Sequence, residues 1–154
     1  MLARLKYQFS EIYSFQVPAL KNDIHIPEYC ALTETSSENE EEPEINAWFG
    51  PCGTVSPCHF DPKHNLLVQC VGEKLVTLFP PHHSEFLYPH PDKLLFNTSQ
   101  VDVEIPDIKT FPLFEKAEGT LCRLKAGEML YIPPKHWHHV RSLTSSFSVS
   151  FWWT

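Results

Sequence analysis

The fold of this chain is indicated most directly by residues 66–79, which read LLVQCVGEKLVTLF. Two apolar runs, Leu66–Val71 and Leu75–Phe79, lie on either side of the turn residues Gly72-Glu73. Branched and aromatic side chains favour strands, and a glycine beside a polar residue favours a tight turn. The stretch therefore predicts two neighbouring strands joined by a short connection.

Runs of the same kind recur through the last two thirds of the sequence. They predict strands at Ile45–Phe49, Thr54–His59, Leu66–Val71, Lys74–Phe79, Thr120–Leu124, Glu128–Ile132, His138–Ser142 and Phe147–Trp153. A loop rich in proline and histidine, residues 80–116, interrupts them and holds one predicted helical turn near 91–96. Many short strands with few helices are typical of an all-β sandwich or barrel, and a barrel mouth is a natural ligand site.

The first 44 residues carry a weaker pattern. Leu2, Leu5, Phe9 and Ile12 have helical spacing, which predicts a short amphipathic helix within residues 1–15. The acidic run at 36–44 predicts a solvated loop. We therefore expect an irregular N-terminal segment, residues 1–44, followed by a β domain at 45–154.

Composition restricts the classes of function. The 154 residues, 42% of them hydrophobic, suffice for the core of one domain. The net charge of -7 argues against a protein that binds nucleic acid through its phosphates. No run approaches the roughly 18 to 20 apolar residues that span a bilayer. Five cysteines without a CxxC pair or an apolar leader predict reduced thiols and a nuclear or cytoplasmic location.

The motif His59-Phe60-Asp61 offers the first candidate chemistry. In a strand, side chains two residues apart leave from one face, so His59 and Asp61 can converge on one cation. A distant histidine would complete the two-histidine, one-carboxylate set of non-haem Fe(II) oxygenases. His136 and His138 share a face of the later strand and both remain candidates, whereas His139 lies on the other face. A zinc site is the competing interpretation.

Lys74 follows the tight turn and begins an apolar strand. If its side chain points into a barrel, the buried ammonium requires an anionic partner, for which a dicarboxylate such as 2-oxoglutarate would serve. If Lys74 only occupies the corner of a hairpin, it points to water. Spacing alone leaves both orientations open.

Several motifs together resemble the jumonji C family of 2-oxoglutarate oxygenases. They are residues 46–51 (NAWFGP), 56–62 (SPCHFDP), 65–69 (NLLVQ), 72–74 (GEK), 94–102 (LLFNTSQVD), 127–133 (GEMLYIP), 137–138 (WH) and 147–153 (FSVSFWW). The resemblance extends from about residue 18 to the end of the chain. It implies a double-stranded β-helix, a cupin-like jelly-roll barrel, that binds Fe(II) and uses 2-oxoglutarate and O₂ as co-substrates.

The resemblance also implies roles for individual residues. The Fe(II) ligands and catalytic residues would be His59, Asp61 and His138, since the distal ligand of the family directly follows the tryptophan matched by Trp137. Lys74 would bind the distal carboxylate of 2-oxoglutarate, Ser56 and Asn65 would lie near its keto-acid end, and Trp48 and Trp152 would line the substrate channel. Plain packing of the barrel is the alternative role for both tryptophans.

The implied substrate is a protein or peptide, arginine-containing or histone-like, that is hydroxylated on arginine. Lysine demethylation or cleavage of histone tails in chromatin regulation would use the same motifs. A tyrosine that helps the family to hold the co-substrate would fall at or before Met1. The chain is therefore expected to lack that hydroxyl, so a catalytically impaired binding module is a further alternative.

Overall fold

Nine strands form most of the computed structural model, which describes residues 12–13, 22–31 and 42–154. They are β1 (Ile12–Tyr13), β2 (Glu44–Gly50), β3 (Val55–His59), β4 (His64–Val71), β5 (Glu73–Phe79), β6 (Thr120–Lys125), β7 (Met129–Ile132), β8 (Trp137–Ser142) and β9 (Ser146–Trp153). All eight predicted strands are present, with ends that differ by one or two residues. The prediction of a mainly β fold is confirmed.

The strands form two antiparallel sheets. A five-stranded sheet has the order β1-β2-β9-β4-β7, and a four-stranded sheet has the order β3-β8-β5-β6. Leu67 of β4, Val76 of β5 and Leu124 of β6 form one buried cluster, so the inner faces of the two sheets pack on each other. This is the jelly-roll arrangement of a double-stranded β-helix.

The two faces of strand β9 differ, one toward the inside of the barrel and the other toward its outside. Val149, Phe151 and Trp153 belong to a second apolar cluster on the outer face of the five-stranded sheet, together with Cys30. The alternate residues point inward because side chains in a strand alternate between faces. They are Ser146, Ser148, Ser150 and Trp152. The inner face of this strand is therefore lined mainly by small hydroxyl side chains.

The long connection between β5 and β6 covers the outer face of the four-stranded sheet. Its 3₁₀ helix at Pro81–Leu87 contributes Leu87 to a third buried cluster with Cys58, Phe79 and Trp137. A second 3₁₀ helix spans Pro112–Lys116. The predicted helical turn near 91–96 is wrong, because these residues form turns and bends. The observed helices instead begin at prolines, whose fixed φ suits a first helical residue.

The N-terminal predictions lie largely outside the described residues. Where residues 1–15 are described, at Ile12–Tyr13, the chain is a strand paired with Ala47 and Asn46, so the helix prediction is wrong there. The acidic run is described only from Glu42, and β2 already begins at Glu44. A short 3₁₀ helix spans Glu28–Ala31. Within the described part of the chain, no helix has the length and apolar character needed to cross a membrane.

Candidate metal centre

Three of the predicted site residues meet at one point of the barrel. His59 ends β3 and is the register partner of His138 on β8, and Asp61 follows His59 by two residues. Asp61 Oδ2 lies 3.5 Å from His138 Nε2 and 3.9 Å from His59 Nε2. One ligand atom of each residue lies within 4.8 Å of the other two. A cation with bonds of about 2.1 Å would draw these atoms slightly closer.

Both imidazoles are held with the same nitrogen facing the carboxylate. His59 Nδ1 lies 2.7 Å from the carbonyl oxygen of Pro57, and His138 Nδ1 lies 3.0 Å from that of His136. A carbonyl oxygen can only accept a hydrogen bond, so each Nδ1 carries the proton and donates it. The lone pair of each ring is therefore on Nε2, which is the arrangement that metal-binding histidines require.

Burial shifts the pKa of two of these groups. It lowers the pKa of His138 to about 3, so this imidazole is neutral near pH 7 and keeps its lone pair. Burial also raises the pKa of Asp61, and the nearby charge of His59 opposes the shift. A carboxylate that is buried without a cation is costly, and a bound divalent ion would remove that cost.

Contacts between the two ligand-bearing segments hold them together. The ring of Phe60, between His59 and Asp61, meets the ring of Trp137 edge to face with centroids 4.8 Å apart. The backbone N–H of Lys135 donates to the carbonyl oxygen of Asp61 at 2.8 Å. Lys135 has a φ of 62°, which an L side chain seldom adopts, so the turn before β8 is held in an unusual conformation.

The three ligand atoms face a cavity of about 250 Å³. Its wall is formed by Trp48, Ser56, His59, Asp61, Asn65, Leu67, Ile132, His138, Val140 and Trp152. Asp61 Oδ2, Asn65 Oδ1 and Trp152 Nε1 are buried without a hydrogen-bond partner among the described residues. Buried polar atoms are normally paired, so this cavity is suited to a small polar ligand.

Comparison with known proteins agrees with this fold and site. The family model of the cupin-like domain matches residues 6–154. The chain belongs to the cupin-like family. The chain is 55% identical over 139 residues to lysine-specific demethylase 8 of Danio rerio, an alignment that covers 90% of this chain and 34% of that protein. It is 53% identical to JmjC domain-containing protein D of Dictyostelium discoideum, covering 87% of this chain and 32% of that one. Jumonji C domain-containing protein 5 of Drosophila melanogaster is 50% identical, and the alignment covers 90% of this chain and 34% of that protein.

These relatives establish the cupin-like barrel as a jumonji C domain, as its motifs predicted. The chain spans about a third of the length of the curated relatives that it matches. The relationship therefore concerns this domain, and the activities of the longer proteins belong to those proteins.

The structure of the cupin-like barrel brings together most of the predicted site residues. Ser56, Asn65, Trp48 and Trp152 all line the cavity beside the three ligand residues. His138, and not His136, stands in the ligand cluster, which resolves the ambiguity left by strand parity.

Lys74 lies outside the cavity wall but does not point to water. Only 7% of the residue is exposed, and it shares the inward face of β5 with the buried Val76. Burial lowers its pKa to about 8, and among the described residues no carboxylate contributes to offset that shift. The interpretation of Lys74 as an exposed hairpin corner is therefore wrong.

Sequence reasoning missed the inward serines of β9 and their partners. Ser150 Oγ accepts a hydrogen bond from Trp48 Nε1 at 2.8 Å, and Ser148 Oγ donates to Gln69 Oε1 at 2.6 Å. The signal was available in the alternation of serine with large apolar residues at 146–153. These serines are not in the cavity wall themselves, but Ser150 holds Trp48, which is part of that wall.

Proposed function

We propose that this jumonji C domain is an Fe(II)- and 2-oxoglutarate-dependent oxygenase that acts on a protein substrate. One observation carries the proposal: two imidazoles and a carboxylate converge on a cavity with unpaired polar atoms, in a barrel that also buries a lysine whose desolvation no described carboxylate offsets. A zinc centre would explain the three ligands, but it would leave Lys74 without a role. Bound 2-oxoglutarate would explain both the three metal ligands and the buried lysine.

The donor set suits Fe(II). Two imidazole nitrogens and one carboxylate oxygen on one side of a cation leave the opposite positions open. His59, Asp61 and His138 would hold the ion, and the orphaned Asp61 Oδ2 is the atom that most needs it. When bound, Fe(II) with 2-oxoglutarate and O₂ supplies the oxidising chemistry, whose by-products are succinate and CO₂.

Lys74 would bind the far end of the co-substrate. Its register partner Ser142 lies four residues beyond His138 on β8, which places Lys74 roughly 13 Å along the strand from the ligand. A lysine side chain extends over part of that distance, and a dicarboxylate that reaches from the metal would extend over the rest. The ammonium would then pair with a carboxylate in a dry site, where such a pair is strong.

Ser56 and Asn65 have positions suited to orienting the keto-acid end, since both line the cavity beside the ligands. The Asn65 amide has an unpaired oxygen that can turn toward a bound acid or water. Trp48 and Trp152 supply broad apolar surfaces that exclude water from the reacting centre. These residues bind, orient and shield, and the oxidation itself belongs to the metal.

The finer part of the proposal is hydroxylation of arginine side chains. The net charge of -7 suits basic peptides, arginine-containing or histone-like, in the nucleus or cytoplasm. The name of the Danio rerio relative favours a second candidate, lysine demethylation. Both reactions begin with oxidation of a C–H bond, at a side-chain carbon of arginine in the one case and at the N-methyl carbon of lysine in the other, so the metal centre alone does not distinguish them.

The test of the activity is succinate release with arginine-containing and methyl-lysine peptides. We expect turnover that requires Fe(II) and 2-oxoglutarate and that falls to background in His59→Ala. The matched control is His25→Ala, since His25 is an exposed histidine away from the site and should retain wild-type turnover. Mass spectrometry of the peptide assigns the product: a gain of one oxygen on arginine supports hydroxylation, and a lost methyl group supports demethylation.

Binding is tested separately by thermal unfolding with Mn²⁺ and 2-oxoglutarate. A ligand that binds only the native state stabilises it by about 2.7 kcal/mol at a hundred times its Kd. We expect a rise in melting temperature for the wild type. The absence of any rise would contradict the proposal and favour a non-catalytic module.

A further inference from the structure

The segment Asn97-Thr98-Ser99 lies alongside the part of the chain that carries two of the ligands. Thr98 forms an antiparallel bridge with His59, and Ser99 N–H donates to the carbonyl oxygen of Cys58 at 2.8 Å. The segment is itself held from behind, because Ser99 Oγ donates to the carbonyl oxygen of Leu87 at 2.6 Å. It therefore forms a firm support beside the free edge of β3.

Asn97 makes two hydrogen bonds to a single residue, Phe60. The N–H of Phe60 donates to the backbone oxygen of Asn97 at 2.9 Å, and Asn97 Nδ2 donates to the carbonyl oxygen of Phe60 at 2.8 Å. The first bond fixes the peptide plane between His59 and Phe60. The second fixes the peptide plane between Phe60 and Asp61. Together they fix the backbone from which both ligand side chains extend.

The hydrogen bonds from Asn97 hold a part of the backbone that the sheet does not hold. β3 ends at His59 and has an irregular register with β8 between Ser56 and His59, so Phe60 and Asp61 lie beyond the strand ladder. Rotation of the Phe60–Asp61 peptide would swing the carboxylate relative to both imidazoles. A small rotation there would open the distances of 3.5 and 3.9 Å that bring the three ligands together.

We propose that Asn97 is a positioning residue of the metal centre and that its side-chain amide sets the orientation of Asp61 relative to His59. The inference rests on the proposed function, since it presumes that the three ligands hold a cation. It also assigns a use to Asn97-Thr98-Ser99, whose sequence matches a glycosylation acceptor. The amide nitrogen that would carry a glycan is engaged with Phe60.

The test compares three variants in metal affinity and in metal spectroscopy. Asn97→Ala removes the Nδ2 donor but keeps the backbone bond to Phe60. Asn97→Asp keeps the volume while losing the donor, and it serves if the alanine variant folds poorly. Gln100→Ala is the matched control, because Gln100 Nε2 donates to the carbonyl oxygen of Pro89 at 3.1 Å in the same segment but away from the ligands.

We measure the Kd for Mn²⁺, the absorption spectrum of the Co²⁺-loaded protein and the melting temperature without metal. We expect both Asn97 variants to bind Mn²⁺ about 10 to 100-fold more weakly and to show an altered Co²⁺ spectrum. Gln100→Ala should keep the wild-type Kd and spectrum.

Two outcomes would overturn the inference, and only the second would also contradict the proposed metal centre. If the Asn97 variants lower the melting temperature but keep the wild-type Kd and Co²⁺ spectrum, Asn97 is only structural and the proposed function stands. If the wild-type protein binds neither Mn²⁺ nor Co²⁺, the metal centre and the positioning role fail together.

Discussion

Lys74 shows at the scale of one residue how a binding site can oppose stability. Its ammonium is buried, and no described carboxylate offsets the desolvation that lowers its pKa to about 8. Each pKa unit corresponds to about 1.4 kcal/mol between the two protonation states. The domain therefore carries an unfavourable group in its core, which a bound dicarboxylate would compensate.

Replacement of this lysine should stabilise the ligand-free protein. The folded pKa lies below the ordinary value of 10.5, so the penalty is complete below about pH 8 and disappears as pH rises through 10.5. We expect the free energy of unfolding of Lys74→Met to exceed that of the wild type by roughly 3 kcal/mol at pH 7. This difference should shrink by pH 10. Urea unfolding of both proteins at pH 7 and at pH 10 measures this difference.

Lys109→Met, at an exposed lysine, is the control for this experiment and should show no comparable gap. The same Lys74→Met variant should lose the stabilisation by 2-oxoglutarate in the presence of Mn²⁺. A difference in stability that stays constant with pH would show that packing, and not desolvation of the ammonium, is the cause.

The metal ligands were more predictable than the lysine for a physical reason. The spacing of His59 and Asp61 is local, and strand parity alone restricts where their side chains point. Parity left His136 and His138 undecided, because the choice depends on which residue pairs with His59 across the sheet. The orientation of Lys74 depends on how a tight turn enters its strand, which parity does not determine.

At the scale of elements, the turn between β4 and β5 joins the two sheets. Gly72 has a φ of 76°, and a side chain there would collide with the carbonyl oxygen of Ser145 and with Thr144 Oγ1. Gly127, in the turn before β7, has a φ of 87° and nothing within 4 Å of the position of a Cβ. The two glycines share a left-handed backbone conformation and differ in the space around them.

This pair separates the cost of the backbone conformation from that of the collision. We expect Gly127→Ala to destabilise the fold by about 1–2 kcal/mol, which is the cost of a left-handed conformation. Gly72→Ala should cost more, on the order of 3–5 kcal/mol, because the opposing backbone must also move. Chemical unfolding of both variants tests this, and equal losses would contradict the packing at Gly72.

Sequence patterns predicted all eight long strands, since each contains enough branched and aromatic residues to show the strand pattern. The same approach failed at Ile12–Tyr13, which lie in a strand although Ile12 is one of the apolar residues at helical spacing. Pairing with Ala47 and Asn46 decides that case, and a contact so distant in sequence leaves no local signal. The two 3₁₀ helices after β5 were missed because they depend on packing against the sheet.

At the scale of the whole molecule, the five cysteines report on the integrity of the barrel. All five are free thiols: Cys52 and Cys70 are exposed, Cys30 and Cys58 are buried, and Cys122 is intermediate. Burial raises the pKa of Cys58 to about 12, which keeps it as an unreactive thiol. The reactive form is the thiolate, so both exposure and pKa protect the interior cysteines.

Labelling with a thiol reagent should therefore proceed in stages. We expect Cys52 and Cys70 to react in the native protein, Cys122 more slowly, and Cys30 and Cys58 only after unfolding in urea. Peptide mapping identifies each modified residue. Rapid native labelling of Cys58 would show that the cover over the four-stranded sheet opens, and fewer than five reactive thiols in urea would reveal a disulfide.

The architecture of the whole domain was predictable only as a class. Strand number and length indicate a sandwich or barrel, but strand order and the facing of the two sheets arise from pairings between distant segments. The cavity depends on these pairings, because its wall draws residues from six strands and from the segment after β3. Its lining could therefore be proposed from family resemblance and not from composition.

Because β9 has an apolar outer face and a serine-rich inner face, substitutions and insertions in this strand should have different effects on the barrel. A slip of one residue would turn three large side chains, Val149, Phe151 and Trp153, into the space now bounded by serines, and it would bring the serines against the outer core. Single substitutions along this strand are local defects. An insertion or deletion of one residue would exchange inside for outside along the whole strand, so the interior of the barrel would be overpacked and the outer core would lose its apolar side chains.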